Sequence, residues 1–172
     1  MQAIDQFTAT YMYNSPLGNL AITASKYHIL SVLFTNQITH VKALKNLTTI
    51  NHPILQNCCN QLQEYFDGNR QQFDLPLQQS GTTFQQKVWT ALSTTDYGST
   101  ITYLVLSKRI GNTKAIRAVG TANGCNKLSI LVPCHRVIGS NGSLVGYSGE
   151  LWRKKWLLDH EYRYGNGQGK LF

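Results

Sequence analysis

The residues best suited to chemistry are a cysteine and a histidine that stand side by side within an apolar stretch, residues 130–139. The apolar, β-branched residues on either side of Cys134 and His135 predict a buried strand that brings one reactive group to the floor of a pocket. A thiol reacts as its thiolate, and a free cysteine has a pKa of about 8.5, so little thiolate is present at neutral pH. A basic neighbour such as His135 would raise that fraction. A lone cysteine is more often a small buried residue, so the remaining sequence has to distinguish these two roles.

Length and composition set limits on the class of protein. The chain has 172 residues, of which 42% are hydrophobic, and this suits one domain or two small domains with a real core. No apolar run approaches the roughly 18 residues of a membrane span, and the first residues lack the layout of a signal peptide. The four cysteines form neither a disulfide framework nor a Cys-x-x-Cys pair. We therefore expect a soluble, cytoplasmic protein with free thiols.

The charge is divided unequally along the chain. Residues 1–80 hold four basic and four acidic side chains, whereas residues 81–172 hold 12 basic and 4 acidic ones, so the second half carries the whole net charge of +8. A field of one sign on one domain favours a polyanion as partner, and nucleic acid is the commonest polyanion. A basic surface that serves only solubility is the alternative at this point.

Residues 1–80 are predicted to form a small α/β domain. Three runs of strand-forming residues between positions 7 and 34 indicate an antiparallel meander. An amphipathic helix begins at Pro53, buries Cys58 and Cys59 as packing residues and stops at Gly68. We also predict a helix within residues 35–50 and an edge strand over 73–77, where a proline bars a central position.

Residues 81–172, which follow a polar break, are predicted to form a mostly helical second domain. Thr82 or Thr83 is predicted to cap its first helix. A second helical unit begins at residue 99 or 100 and closes at 111, and a third begins at 112 or 113 and runs to 122. The second and third helices enclose a glycine-containing turn and lie in the basic half. This arrangement indicates a helix-turn-helix motif, although ordinary helical hairpins share the spacing.

The third helix carries small and apolar side chains, with Arg117 as the one long polar side chain at its centre. Base readout in the major groove uses several Arg, Asn or Gln side chains. A smooth helix instead suits close approach to the sugar-phosphate surface or the minor groove. We therefore interpret Arg117 as a residue that enters the base stack, with an exposed arginine in a surface ion pair as the alternative.

The second domain contains a series of motifs in one order. They are Tyr103, the Arg-Ala-Val-Gly run at 117–120, Asn126, Pro-Cys-His-Arg-Val-Ile-Gly at 133–139, Tyr-Ser-Gly at 147–149 and Trp-Leu-Leu-Asp-His-Glu at 156–161. Together they closely resemble the O6-alkylguanine-DNA alkyltransferases, or methylated-DNA–protein-cysteine methyltransferases, over about residues 82–161. The resemblance implies an α/β (α+β) fold, with a small RNase H-like N-terminal domain and a mostly helical C-terminal domain that carries the helix-turn-helix.

The resemblance also implies an activity and a site. In this family a cysteine takes the alkyl group from O6 of a flipped guanine, keeps it as a thioether and is not regenerated. By resemblance Cys134 is the acceptor, and His135 activates it through a water. Glu161 polarises the histidine, Asn126 orders the loops, and Tyr103 donates a proton to the guanine. The residues implied to read the base are Tyr103, Val137, Tyr147, Ser148 and Gly149, and those implied to contact DNA are Arg117, Ala115, Ala118 and Thr113.

The expected partner is double-stranded DNA that contains O6-alkylguanine, and O4-methylthymine is a second candidate substrate. We expect no cofactor, no metal, no membrane partner and a monomeric protein. Two positions depart from the family's pattern. Lys127 follows Asn126 where proline is usual, which predicts a less rigid loop, and Glu150 replaces the last glycine of a Tyr-x-Gly-Gly turn. A carboxylate there is expected to alter the tolerance for bulky alkyl groups or the affinity for DNA.

Three alternatives belong to other classes. A protein that only binds DNA damage lacks the reactive cysteine, and a cysteine hydrolase needs an oxyanion hole and leaves the DNA-binding helix unexplained. A zinc site from Cys125, Cys134 and His135 lacks the usual ligand spacing.

Neighbouring side chains in a regular strand point to opposite faces, so either the backbone turns after Cys134 or a water bridges it to the histidine. We expect Arg136 to pair inside the fold.

Overall fold

The computed structural model describes residues 8–37 and 51–166. The chain divides into two compact units, Met1–Gln79 and Ser80–Phe172. Within the described residues, no helix combines the length and the apolar composition needed to cross a bilayer.

The first unit is built on a three-stranded antiparallel sheet. Strands β1 (Thr8–Ser15), β2 (Gly18–Ser25) and β3 (Ile29–Phe34) lie in the order β1-β2-β3. The first turn is tight because the hydroxyl of Ser15 accepts from the amide of Leu17 and donates to the carbonyl of Gly18. The predicted meander is confirmed.

Helix α1 (Pro53–Phe66) packs beside this sheet through a buried face that includes Cys58 and Cys59. Burial raises the pKa of Cys58, and it raises the pKa of Cys59 to about 11, so both thiols are protonated at neutral pH. The prediction that these two cysteines serve packing is confirmed. Within the predicted helix at 35–50, residues Thr35–Gln37 form a short 3₁₀ helix and positions 38–50 lie outside the described residues.

The edge strand predicted over residues 73–77 is wrong, because this segment makes a single bridge between Leu77 and Ile29. Pro76 has no amide hydrogen to donate to a ladder. The backbone of Asp74 is satisfied by a side chain, since the Gln61 amide group both donates to its carbonyl and accepts from its amide at 2.8 Å. The Gln61 side chain thus takes up the backbone of Asp74, and the segment meets β3 only at Ile29, which bonds the backbone of Pro76 and of Gln78.

The second unit begins with helix α2 (Thr83–Ser93), which is capped as predicted. Thr82 and Gln85 form a capping box, in which each side chain bonds the other residue's backbone amide. The buried face of α2 includes Trp89, whose indole donates to the carbonyl of Ala122 at 2.9 Å. This bond ties α2 to the helix that follows the turn.

The helix-turn-helix consists of α3 (Tyr103–Arg109) and α4 (Ile116–Gly124), which pack against each other. Both helices begin later than the sequence predicts. Residues Ile101–Thr102 form strand β4, which pairs in parallel with β5 (Val137–Ile138), so α3 starts only after this pairing. A turn between Asn112 and Ala115 delays α4, because the backbone and side chain of Asn112 take up the first amides. The last helix is α5 (Leu151–Asn166). The mixed fold with a helical second domain is confirmed.

Candidate active site

Cys134 begins a single turn of 3₁₀ helix, Cys134–Arg136, instead of ending a strand. The predicted strand over residues 130–139 is therefore wrong, and only Val137–Ile138 pairs, as β5. Backbone amides in the apolar run donate to carbonyls two to four residues earlier, which removes them from any ladder. The backbone turns between Cys134 and His135, which is one of the two possibilities that the sequence leaves open.

Asn126 holds the loop around the thiol. Its side-chain nitrogen lies 3.1 Å from the sulfur of Cys134 and donates to the carbonyl of Val132 at 2.9 Å. Its side-chain oxygen accepts from the amide of Leu128 at 3.0 Å. One buried amide group thus joins three points of the loop, and this geometry suits the loop-ordering role that the resemblance implies.

Glu161 is the centre of a buried ion cluster. Its two oxygens lie 2.7 Å from Nε2 of His135, 2.8 Å from Nε of Arg136 and 3.0 Å from Nη2 of the same arginine. Burial raises the pKa of Glu161, but His135 and Arg136 together hold that pKa well below its ordinary value, so the group is a carboxylate. The expectation that Arg136 pairs inside the fold is confirmed.

His135 presents one unused basic nitrogen. Because a carboxylate only accepts hydrogen bonds, Nε2 carries the proton that faces Glu161, and Nδ1 is then the acceptor of a neutral ring. Burial lowers the pKa of His135 and Glu161 offsets this effect only in part, so the ring is neutral at pH 7. Nδ1 is buried and has no hydrogen-bond partner among the described residues. The ring is therefore able to accept a proton at this atom.

Lys154 is a fully buried cation that the sequence analysis missed as a site residue. Its Nζ donates to the carbonyls of Val137 and Val145, both at 2.6 Å. Burial lowers the pKa of Lys154 to about 8, while the charge of Cys134 acts to raise it. The only signal in the sequence was a basic position next to the apolar face of the last helix, where a long side chain usually reaches solvent.

The protonation of Cys134 depends on opposing effects. Burial is the largest and raises the pKa of the thiol, whereas the hydrogen bond from Asn126 and the charge of Lys154 lower it. Only 3% of the surface of Cys134 is exposed. The thiolate therefore depends on groups that the fold brings to it from distant parts of the chain.

Tyr103 contacts the segment 145–149. The phenol of Tyr103 donates to the carbonyls of Val145 and Gly146 at 3.3 and 3.4 Å. Burial, followed by the charge of Cys134, raises the pKa of Tyr103, so the phenol keeps its proton at pH 7. The same two causes raise the pKa of Tyr147, whose hydroxyl is buried and unpartnered among the described residues. Both predicted tyrosines thus lie close enough to the cysteine for its charge to act on them.

The remaining residues predicted to read the base occupy two elements. Val137 is buried in β5, Gly149 is buried, and Ser148 is exposed. Lys154 joins β5 to the segment before Tyr147, because its Nζ donates to the carbonyl of Val137 and to that of Val145 at once.

Helix α4 connects the site to the predicted DNA-contacting residues. Its last turn carries Asn123, a buried residue missed by the sequence analysis, whose side chain donates to the carbonyl of Cys134 at 3.3 Å. Arg117 lies six residues earlier on α4, about 9 Å along the axis at 1.5 Å per residue. Arg117, Ala118 and Thr113 are exposed, and Ala115, at the start of the helix, is half-buried. The helix thus presents an exposed arginine at one end and supports the cysteine at the other.

Comparison with known proteins identifies the family. The family model described as "6-O-methylguanine DNA methyltransferase, DNA binding domain" matches residues 83–163, and the one described as "6-O-methylguanine DNA methyltransferase, ribonuclease-like domain" matches residues 9–79. The chain is 46% identical over 151 residues to the constitutive methylated-DNA–protein-cysteine methyltransferase of Bacillus subtilis, across 86% of this chain and 91% of that relative.

Solved structures agree with these matches. The crystal structure of Mycobacterium tuberculosis O6-methylguanine methyltransferase has a TM-score of 0.85 and 36% identity, over 92% of this chain and 95% of the other. The Mycobacterium tuberculosis OGT in complex with DNA has a TM-score of 0.82 and 37% identity, over 91% and 94% of the two chains. The fold and the buried thiol define a two-domain protein in which a cysteine is held beside a helix-turn-helix motif. The chain belongs to the 6-O-methylguanine DNA methyltransferase family, and the resemblance read from the sequence motifs is confirmed.

Proposed function

We propose that the protein repairs DNA by transferring the alkyl group of O6-alkylguanine directly and irreversibly to Cys134. The thiolate sulfur forms a bond to the alkyl carbon while the bond between that carbon and O6 breaks, and the electron pair leaves with the guanine. The products are an S-alkylcysteine and a restored guanine, so each molecule acts once. The activity is that of a methylated-DNA–[protein]-cysteine S-methyltransferase, with O4-methylthymine as a second candidate substrate.

One observation carries the proposal: in a chain of this family, a buried thiol accepts a hydrogen bond from Asn126 and is followed by a neutral, Glu161-bound histidine. The histidine takes the thiol proton at Nδ1, through a bridging water, and the carboxylate stabilises the imidazolium that forms. Lys154 supplies positive charge that favours the thiolate. These roles follow from the charges and the donor and acceptor atoms described above.

Tyr103 assists the leaving group. The departing guanine gains negative charge and needs a proton, and the raised pKa of the phenol keeps one available. We assign the base edge to Val137, Tyr147, Ser148 and Gly149. Two observations support this assignment: Lys154 joins Val137 to the segment that contains the other three, and the charge of Cys134 acts on Tyr147.

The DNA contacts are assigned to the exposed side of α4 and the turn before it. A thiol that is 3% exposed cannot reach O6 within a stacked duplex, so the base has to be flipped out of the helix. Arg117 fills the vacated place in the stack, and Ala115 and Ala118 allow the sugar-phosphate surface to approach closely. Thr113 contacts the backbone ahead of the helix.

We assign different roles to the two domains. Residues 81–172 carry the whole reaction and bind double-stranded DNA, and residues 1–80 are structural. The protein works as a monomer, without a cofactor or a metal, in the cytoplasm, where its four free thiols stay reduced.

The test follows a labelled methyl group. The protein is mixed with an excess of duplex DNA that contains labelled O6-methylguanine, and the label is mapped by peptide mass spectrometry. We expect one methyl group per molecule, on the Cys134 peptide. Cys134→Ser should accept none, while Cys125→Ser, which alters an exposed thiol, should behave as the wild type. Release of the methyl group to water, or continued turnover, contradicts the proposal.

A further inference from the structure

We call residues 145–149 the wall segment. Two consecutive basic side chains of α5 hold it at both ends. Nζ of Lys154 donates to the carbonyl of Val145 at 2.6 Å, and Nη1 of Arg153 donates to the carbonyl of Gly149 at 3.1 Å. Both bonds go to backbone atoms, so they restrain the path of the segment itself and not only its side chains.

The Arg153 end has further support from Glu150 and Trp152, and we call these three residues the rim clamp. Oε2 of Glu150 accepts from Nη1 of Arg153 at 3.1 Å and from the indole of Trp152 at 2.6 Å. The guanidinium group lies 4.7 Å from the centre of the Trp152 ring. Three polar or cation–π contacts therefore meet directly after the wall segment.

The rim clamp maintains a strained backbone. Glu150 has a φ angle of 75°, in the left-handed region that is unfavourable for a residue with a Cβ atom. Such a conformation persists only where its surroundings hold it, and it often occurs at functional sites. A glycine would adopt this angle without strain, so the side chain of Glu150 needs another reason to be at this position.

The wall segment has little freedom to move towards Tyr103, and its Tyr147 lies close enough to Cys134 for the charge of the thiolate to act on the phenol. The phenol of Tyr103 donates to the carbonyls of Val145 and Gly146, and a Cβ atom on Gly146 would lie 2.5 Å from the phenol oxygen. The hydroxyl of Tyr147 is buried. The width of the site therefore depends on where the fastened segment is held.

We propose that the rim clamp of Glu150, Trp152 and Arg153 determines which alkyl groups the protein accepts, by holding the wall segment against Tyr103 and keeping the site narrow. This inference rests on the proposed function, because it takes O6-alkylguanine as the substrate of the site. A rigid wall admits a methyl group and disfavours larger alkyl or aryl groups. In confined apolar sites, one methylene group changes the rate by about 10- to 200-fold.

The test compares two substrates in the same duplex, with the full-length chain. Glu150→Gly removes the carboxylate and relieves the left-handed strain, so it loosens the clamp without adding backbone strain. The ratio of the transfer rate of O6-benzylguanine to that of O6-methylguanine should rise about tenfold, while the methyl rate stays near that of the wild type. Arg153→Met should raise the ratio in the same direction. Lys155→Met is the control, because Lys155 pairs with Asp159 on the same helix.

A second measurement separates a local effect from unfolding. Hydrogen exchange of the wall-segment amides should become faster in Glu150→Gly, while the amides of α4 keep their protection. An unchanged ratio, or an equal loss on both substrates, overturns the inference and leaves the proposed function intact. If the wild-type protein transfers no alkyl group, the proposed function is contradicted, and the inference, which rests on it, fails as well.

Discussion

Replacing Lys154 with methionine tests how a buried thiol is kept reactive. A methionine side chain is about as long as a lysine side chain, but it has no charge and no hydrogen-bond donor. The substitution therefore removes the two bonds that Lys154 donates to carbonyls at 2.6 Å. Hydrogen bonds to charged groups contribute about 1.5–3 kcal/mol each, but the substitution also removes the cost of burying an ammonium group. We therefore expect a net loss of only about 1–3 kcal/mol in the free energy of unfolding, and a folded variant.

The effect on the reaction should be larger. The ammonium group lowers the pKa of Cys134 against the effect of burial. An opposite charge nearby moves a pKa by about one to three pH units, and each unit changes the thiolate fraction tenfold, so the rate at pH 7 should fall by about tenfold or more.

The pH profile provides an independent check. Burial lowers the pKa of Lys154 to about 8, so its charge is present below that pH and lost above it. The wild-type rate should therefore level off near pH 8, whereas the rate of Lys154→Met should continue to rise as the thiol ionises.

The assay is single-turnover methyl transfer from duplex O6-methylguanine across this pH range, with urea unfolding of both proteins at pH 7. A folded Lys154→Met variant with the wild-type rate and profile would refute the assigned role. A rate that falls only in proportion to the folded fraction would show that Lys154 acts through stability alone.

Three further substitutions test other parts of the site. Arg117→Ala should slow repair in duplex DNA much more than reaction with the free base O6-benzylguanine, and equal losses would assign Arg117 to the fold. Glu161→Gln leaves the buried Arg136 without an ionised partner, so the free energy of unfolding in urea at pH 7 should fall by about 3–5 kcal/mol. Since the pKa of Glu161 is lowered in the fold, this difference should shrink below pH 4.5, the ordinary pKa, and a constant difference contradicts the assignment. Gly146→Ala should slow transfer because its Cβ would lie 2.5 Å from the Tyr103 hydroxyl, whereas Gly142→Ala adds similar left-handed strain in open space and should not.

Local rules predicted most of the secondary structure. The capping box of Thr82 and Gln85 depends on residues three apart, and the apolar face of α1 depends on a spacing that repeats within one helix. Predictions failed where a distant partner intervened. At residues 73–77, where a strand was expected, the side chain of Gln61 takes up the backbone of Asp74, and the pairing of β4 with β5 delayed the start of α3.

Within the site, the motifs were enough to predict the reacting group and its immediate neighbours. They pointed to Cys134, His135 and Asn126, because the types and order of these residues resemble one family with one chemistry. The motifs also pointed to Glu161, which the structure places 2.7 Å from the histidine.

The groups that act on the protonation of Cys134, and the contacts that fix the 145–149 segment, became visible in the fold alone. Lys154 looks like a surface cation in the sequence, yet the fold buries it and directs it to the carbonyls of Val137 and Val145. The 3₁₀ turn at Cys134 replaces the expected strand, and the strain at Glu150 is visible only as a backbone angle. These features depend on burial and on contacts between residues far apart in the chain, and local sequence patterns do not specify them.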